Sequence, residues 1–240
     1  MAKVMRVTGA WTGLLSDWLE QEGLENAPVR IALARWASED NVPVPVWRDL
    51  LAQGLALAPQ YAAPELKVGA CVRPAHVGVL GYLVLASDTL GEAMLAYQRY
   101  ETLFYGQDMV EVVGQDDQML VRWPGADSTG ELADSVAIAA LVSFLRRQVD
   151  TPPVPTRVAF AFPAPGPPIR AAFEAFFGCP VQFAQAHTWV AFPVHFLAIA
   201  LPHSDPSMRS LLDRQAQAML LALPDSDSFD RALQQAMVRL

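Results

Sequence analysis

Apolar residues recur at helical spacing from the start of the chain to about Gly106. Trp11, Leu14, Leu15, Trp18 and Leu19 predict an amphipathic helix stopped at Gly23. Pro28 suits the first turn of a second helix carrying Ile31, Leu33, Ala34 and Trp36. A third opens at Pro45 and runs through Val46, Leu50, Leu51 and Leu55 towards Pro59. The stretch Pro74–Ser87 is almost wholly apolar. It reads as a helix whose Gly78 and Gly81 allow close approach on one face, or as a buried strand over Val79–Leu85; periodicity does not separate the two. Thr89 and Glu92 stand at capping-box spacing, with Asp88 a competing N-cap. Leu90, Ala93, Met94, Tyr97, Tyr100 and Phe104 then mark one helical face.

At Met109 the period changes. Met109–Val113 and Gln118–Trp123 predict a hairpin turning at Gly114-Gln115-Asp116-Asp117. Glu131–Val149 returns to helical spacing, with Leu132, Val136, Ala139, Ala140 and Phe144 on one face. Thr156–Phe162 reads as a buried strand, Ile169–Phe177 as a helix ended by Gly178, and Val181–Phe183 and Trp189–Phe192 as short strands. Asp205-Pro206 caps a helix through Met208, Leu211, Leu212, Met219 and Leu223, and another begins near Ser228 and stops abruptly at Leu240. The expected fold is α+β: a helical N-terminal layer on a smaller mixed sheet with interleaved helices, followed by C-terminal linker or dimerisation helices. No linker separates the layers, so they are expected to share one core.

Composition narrows the class. With 240 residues, 52% of them hydrophobic, the chain has ample material for a core. The net charge of -8 leaves no clustered basic surface for gripping nucleic-acid phosphates. Arginines outnumber lysines fifteen to two but are scattered. Two cysteines make no disulfide framework, and neither a signal peptide nor a long uncharged apolar run is present. The sequence reads as a cytoplasmic protein without membrane contact.

A search for chemistry finds no GxSxG, HExxH, CxxC, P-loop or GxGxxG pattern. The four histidines are far apart, and neither a metal nor a cofactor is expected. Cys71 beside Arg73 reads as a lowered-pKa thiol or as an inert buried cysteine. An enzyme would have to assemble its site from distant residues, such as Cys71 or Cys179 with a histidine. Arg146-Arg147 ends a helix, which suits its dipole; a phosphate site is the sharper alternative. What remains is a set of aromatic and polar side chains on apolar elements: His76, Tyr82, Tyr97, Tyr100, Phe104 and Trp123. Such residues serve as core or line a small-molecule pocket.

Two segments carry a resemblance. Gly78-Val79-Leu80-Gly81-Tyr82 with Thr89-Leu90-Gly91-Glu92-Ala93-Met94 is similar to a G-L-x-G-Y and T-L-x-E-A-L pattern. Pro155–Pro165 followed by Phe176-Phe177-Gly178-Cys179-Pro180-Val181-Gln182-Phe183 is similar to a strand, proline turn and F-F-G-C-P-V-x-F signature. Together they resemble the arabinose-binding-type N-terminal domain of AraC/XylS-family transcription regulators, in the subgroup that includes ornithine-utilisation regulators. The likeness spans roughly residues 10 to 225, and Met94 stands in a usual leucine place.

The resemblance implies a non-enzymatic module over residues 1–225 that binds a small-molecule effector and forms a homodimer. Residues 226–240 would begin the linker or a DNA-binding part absent from this chain, so DNA is expected as a partner only through that part. The expected pocket lies between Pro74–Ser87, the helix of Tyr97 and Tyr100, and the sheet bearing Trp123, with Phe104 and Tyr82 nearby. Arg73, His76 or Arg99 are candidates to orient a carboxylate. An amino acid and a fatty acid are equally open as effectors. A cyclic dinucleotide is the alternative, requiring several arginines on its phosphates. Met208, Leu211, Leu212, Met219 and Leu223 are the expected dimer contacts; packing of that stripe on its own domain is the competing reading.

Overall fold

The computed structural model describes residues 5–123, 129–149 and 154–223. A two-residue strand β1 (Arg6–Val7) leads through a 3-10 turn into helix α1 (Gly13–Gln21), which buries Leu14, Leu15, Trp18 and Leu19. Gly23 follows at φ 64°, a left-handed position that ends the helix without a side-chain clash. Helix α2 (Ala27–Ala37) is capped by Asn26, whose side chain accepts from the Val29 amide at 3.1 Å. It buries Val29 and Leu33 but leaves Ile31 exposed, so the predicted stripe is shifted. Strand β2 (Val42–Pro43) pairs antiparallel with β1 and runs into α3 (Val44–Leu55).

Helix α4 (Pro64–Ala70) falls in a stretch the sequence reading left unassigned. It packs along the long helix Glu131–Arg147 (α9), and the reason is Gly69. A Cβ there would sit 2.6 Å from Ala139 Cβ and 2.6 Å from the Val136 carbonyl oxygen. Pro74–Ser87 is helical, not a strand, and broken into α5 (Pro74–Val77) and α6 (Val79–Leu85) by Gly78 at φ 68°. The two glycines therefore differ in role. Gly78 is the joint, whereas Gly81 admits the Pro74 carbonyl oxygen, 2.3 Å from where a Cβ would stand.

Thr89 caps α7 (Leu90–Tyr100) by accepting from the Glu92 amide at 3.2 Å, while Glu92 accepts from the Asp88 amide, also at 3.2 Å. Asp88 is thus served by the cap and does not supply it. After Glu101 a short helix α8 (Thr102–Tyr105) stops at left-handed Gly106. The predicted hairpin is β3 (Glu111–Gln115) and β4 (Gln118–Trp123). Its turn is tighter than predicted, because Gln115 pairs with Gln118 and only Asp116-Asp117 lie between them, Asp116 at φ 55°.

Helix α9 (Glu131–Arg147) is buried along most of its length and on more than one face, including Val136, Ile138, Ala139, Ala140 and Val142. It is the spine of the molecule. Strand β5 (Arg157–Ala159), helix α10 (Pro167–Phe177), strand β6 (Val181–Gln182) and strand β7 (Thr188–Pro193) complete the sheet region. The sheet order is β3-β4-β7-β5-β6, with β5–β6 parallel and the other pairs antiparallel. Helix α11 (Pro206–Leu221) starts at Asp205, whose carboxylate accepts from the Ser207 and Met208 amides. One hydrophobic cluster joins residues of α1 through α11 with the sheet, as expected for α+β layers without a linker. The helix predicted near Ser228 and the boundary at 225 lie outside the described residues.

Candidate functional site

Two cavities lie side by side between α6, α7, α8, α9 and the sheet. The larger has a volume of about 70 Å³. Leu80 and Val84 of α6, Met94 of α7 and Leu141 and Phe144 of α9 form its walls, and among the described residues no charged side chain lines it. Trp11 and Phe104, edge to face at 4.9 Å between ring centres, close one side. Its polar atoms are on aromatics: the Tyr97 and Tyr105 hydroxyls, 2.9 Å apart, with Trp11 and Trp123. Burial pushes both phenols above their ordinary pKa, so they remain neutral hydrogen-bonding groups. The smaller cavity, about 50 Å³, shares the Tyr105, Trp123 and Ala137 wall and holds Asp134, His187 and Thr188.

The structure brings Tyr97, Phe104 and Trp123 together on the larger cavity. The other predicted residues stand elsewhere. His76 is buried beneath α5, where its Nδ1 accepts from the Arg73 amide at 3.1 Å and its Nε2 lies 3.0 Å from Asp17 Oδ2. Burial lowers its pKa, against the opposing pull of Asp17. Arg73 is largely exposed and pairs with the same Asp17, so this cluster fastens α1 to α5. Tyr82 is half exposed and does not line the larger cavity. The Tyr100 hydroxyl donates to Asp213 of α11 at 2.8 Å, and Arg99 approaches the same carboxylate at 3.8 Å.

Sequence reasoning missed Trp11, Tyr105, Ala137 and Leu141 as cavity residues. Trp11 was absorbed into the first helix stripe. Ala137 and Leu141 lie off the face traced through Val136 and Ala140; only their incomplete burial on an otherwise buried helix marks a void beside them.

Residues 29–201 match the family model described as the arabinose-binding domain of AraC transcription regulators, N-terminal. That span covers well over half of the chain. The chain belongs to this family. Among curated proteins, this AraC-type domain is 30% identical over 149 residues to an ornithine utilization regulator of Pseudomonas aeruginosa, covering 61% of this chain and 43% of that protein. Among solved structures it superposes on the transcriptional regulator CdpR from Pseudomonas aeruginosa with a TM-score of 0.60 at 17% identity, covering 83% of this chain and 59% of that one. The chain therefore spans less than two thirds of either regulator.

Within the arabinose-binding-type domain, both sequence signatures have packing roles, and the first also supplies Leu80, Gly81, Ala93 and Met94 to the lining of the larger cavity. Gly78 and Gly81 set the α5–α6 joint, and the Phe176–Phe183 segment builds an aromatic cluster around Phe160. The arginine pair is also structural. Arg146 donates to the Phe176 and Phe177 carbonyls at the end of α10, and Arg147 donates to the Ala70 and Val72 carbonyls at the end of α4. Each neutralises a helix C-terminus, though not that of its own helix. The thiol alternative also loses ground. Burial pushes the Cys71 and Cys179 thiols up, outweighing the nearby arginines. Among the described residues no cluster of His, Cys, Asp or Glu is placed to hold a metal, and no helix is long and apolar enough to cross a membrane.

Proposed function

We propose that the chain is the effector-sensing module of an AraC-type regulator and that its effector, small and largely apolar, binds in the larger cavity. The observation that carries this is a wall of aliphatic and aromatic side chains whose polar atoms are aromatic hydroxyls and indole nitrogens. A pentose there would lose most of its hydrogen bonds to water without replacements, at a cost of about 1–3 kcal/mol for each group left unpaired. Free ornithine would place two charged amines where no counter-charge among the described residues lines the wall. Both names attach to the relatives, and the lining fits neither molecule. A cyclic dinucleotide is disfavoured as well, since Arg146 and Arg147 are committed to helix ends.

Occupancy would reach the rest of the regulator through α7. Tyr97 faces the cavity, while Tyr100 and Arg99, one turn on, hold Asp213 of α11, and Glu92 at its other end pairs with Arg209 of α11. A ligand that favours one seating of α7 thereby biases α11. The decisive variant is Ala137→Phe, which projects a ring into the cavity from α9. Calorimetric titration with toluene and indole is expected to show binding to the parent and at least tenfold weaker binding to Ala137→Phe. Equal affinity for the two proteins places the site elsewhere.

Dimerisation belongs to the same reading. The predicted stripe of α11 divides: Leu212 and Leu223 pack inward with buried Ala216, whereas Met208, Leu211 and Met219 are exposed. This outward apolar row is the proposed homodimer contact. Sedimentation at tens of micromolar should give a dimer that Leu211→Glu converts to monomer; a monomeric parent excludes this contact.

A further inference from the structure

We infer that the effector of the larger cavity is an uncharged molecule with a hydrogen-bond acceptor, a ketone or ester carbonyl on an apolar frame, held by a hydroxyl of the Tyr97–Tyr105 pair. This deepens the reading of that cavity as the effector site and rests on it. Each phenol carries one hydrogen, and the two oxygens stand 2.9 Å apart on the cavity wall. Their contact is one hydrogen bond and uses one of the two hydrogens, whichever ring donates. The other hydrogen is left over. Neither hydroxyl has a further acceptor among the described residues, and among them no other side-chain oxygen lines this cavity. Trp123 adds its indole N–H, which bonds to the Tyr105 oxygen, so donors outnumber side-chain oxygens on this wall.

The surplus hydrogen selects the ligand. Burial holds both phenols above their ordinary pKa, so at neutral pH that hydrogen is present to be donated. A hydrocarbon filling the cavity leaves it without an acceptor, the costly arrangement for a buried hydroxyl. A carbonyl oxygen accepts it and brings no hydrogen of its own to satisfy. A carboxylate accepts it too, but its charge then sits between aliphatic walls with no cation among the described residues lining them. The bond is made at the junction of two elements, since Tyr97 belongs to α7 and Tyr105 to α8.

The test pairs acetophenone with isopropenylbenzene, the hydrocarbon of the same shape in which a methylene replaces the carbonyl oxygen. Calorimetry is run on the parent chain and on the double variant Tyr97→Phe/Tyr105→Phe. Both rings must change, because removing one hydroxyl releases the hydrogen of the other. The double variant should weaken acetophenone by roughly threefold to tenfold, the worth of one hydrogen bond, and should bind isopropenylbenzene at least as well as the parent does. Benzoate should bind the parent about tenfold or more weakly than acetophenone. A second measurement needs no variant: the NMR signal of the isotope-labelled carbonyl carbon of bound acetophenone should lie downfield of its position in cyclohexane. Acetophenone weakened no more than isopropenylbenzene overturns the inference. So does a carbonyl signal at the cyclohexane position, or benzoate binding as tightly as acetophenone; in each case isopropenylbenzene bound to the parent, and weakened by Ala137→Phe, leaves the cavity reading standing. Binding of neither probe to the parent, or equal binding to Ala137→Phe, overturns the cavity reading and the inference with it.

Discussion

Phe160→Ala is expected to lower stability by about 4 kcal/mol, in the range for emptying a large aromatic site in a core. Phe160 is fully buried, and its ring lies 4.8 Å from Phe162, 5.4 Å from Phe173, 5.8 Å from Phe183 and 6.1 Å from Phe177. Those rings are fixed from three directions. Phe173 and Phe177 belong to α10, Phe162 continues the chain beyond β5, and Phe183 follows β6. The backbone is pinned as well, since the Phe160 amide donates to Gln182 and its carbonyl accepts from Gln185. The neighbours therefore cannot collapse into the space, which places the loss at the upper part of the range. At a few degrees per kcal/mol for a domain of this size, the midpoint of thermal unfolding should fall by about 10 °C. Phe176→Ala is the control: its half-buried ring has one aromatic partner, Phe177, and a loss of about 1 kcal/mol is expected. Equal midpoints for the two variants would show that the cluster is not the keystone of this half. Toluene affinity should stay near the parent value, because no ring of this cluster lines the larger cavity.

This cluster also shows why a sequence signature can be read correctly and still say little about function. The Phe176–Phe183 segment is conspicuous because several rings must interlock, a constraint of packing and not of chemistry. The same holds at Gly78 and Gly81, whose residue identity is dictated by backbone approach. These positions identify the family.

What the sequence made legible were features set by local rules. The Thr89 and Asp205 caps act through their own side chains, and the change from period 3.6 to period 2 at Met109 marks where the sheet begins. What escaped it depended on burial from two sides. Helix α9 reads as amphipathic, yet Ala137 and Leu141 on its second face border a cavity that appears only when α6, α7 and Trp123 are packed around it. Arg73 and His76 looked like anion-orienting groups because sequence gives no sign of Asp17, which takes both. Helix α4 was invisible because it is short and because its partner for close packing, α9, is far along the chain.

Glu101→Gln is expected to stabilise the protein at alkaline pH and to flatten its pH dependence. Glu101 is 2% exposed at the joint of α7 and α8. Its carboxylate accepts from the Met109 and Val110 amides, but Oε2 has no partner among the described residues. Burial, reinforced by nearby Asp108, outweighs those two amides and pushes its pKa up to about 8. The sign follows from proton counting. Below about pH 4 both folded and unfolded chains hold this proton. As pH rises towards 8 the unfolded chain releases it and the folded chain keeps it, so this group's contribution to stability declines across that window and levels off above it. The total is on the order of 3 kcal/mol, discounted from the full shift for relaxation around the group. Glutamine keeps an oxygen for the Met109 and Val110 amides and mimics the protonated state at every pH. Urea unfolding should therefore give near-equal stabilities for parent and variant at pH 5 and a clear advantage for Glu101→Gln at pH 9. Buried Glu65, pushed up to about 6, adds a slope of the same sign to both proteins, so the difference between them isolates Glu101. A parent as stable at pH 9 as its variant would show that Glu101 ionises in the folded state without penalty. The joint deserves this test because of its neighbours: Tyr100 grips α11 on one side of Glu101, and Phe104 and Tyr105 wall the larger cavity on the other.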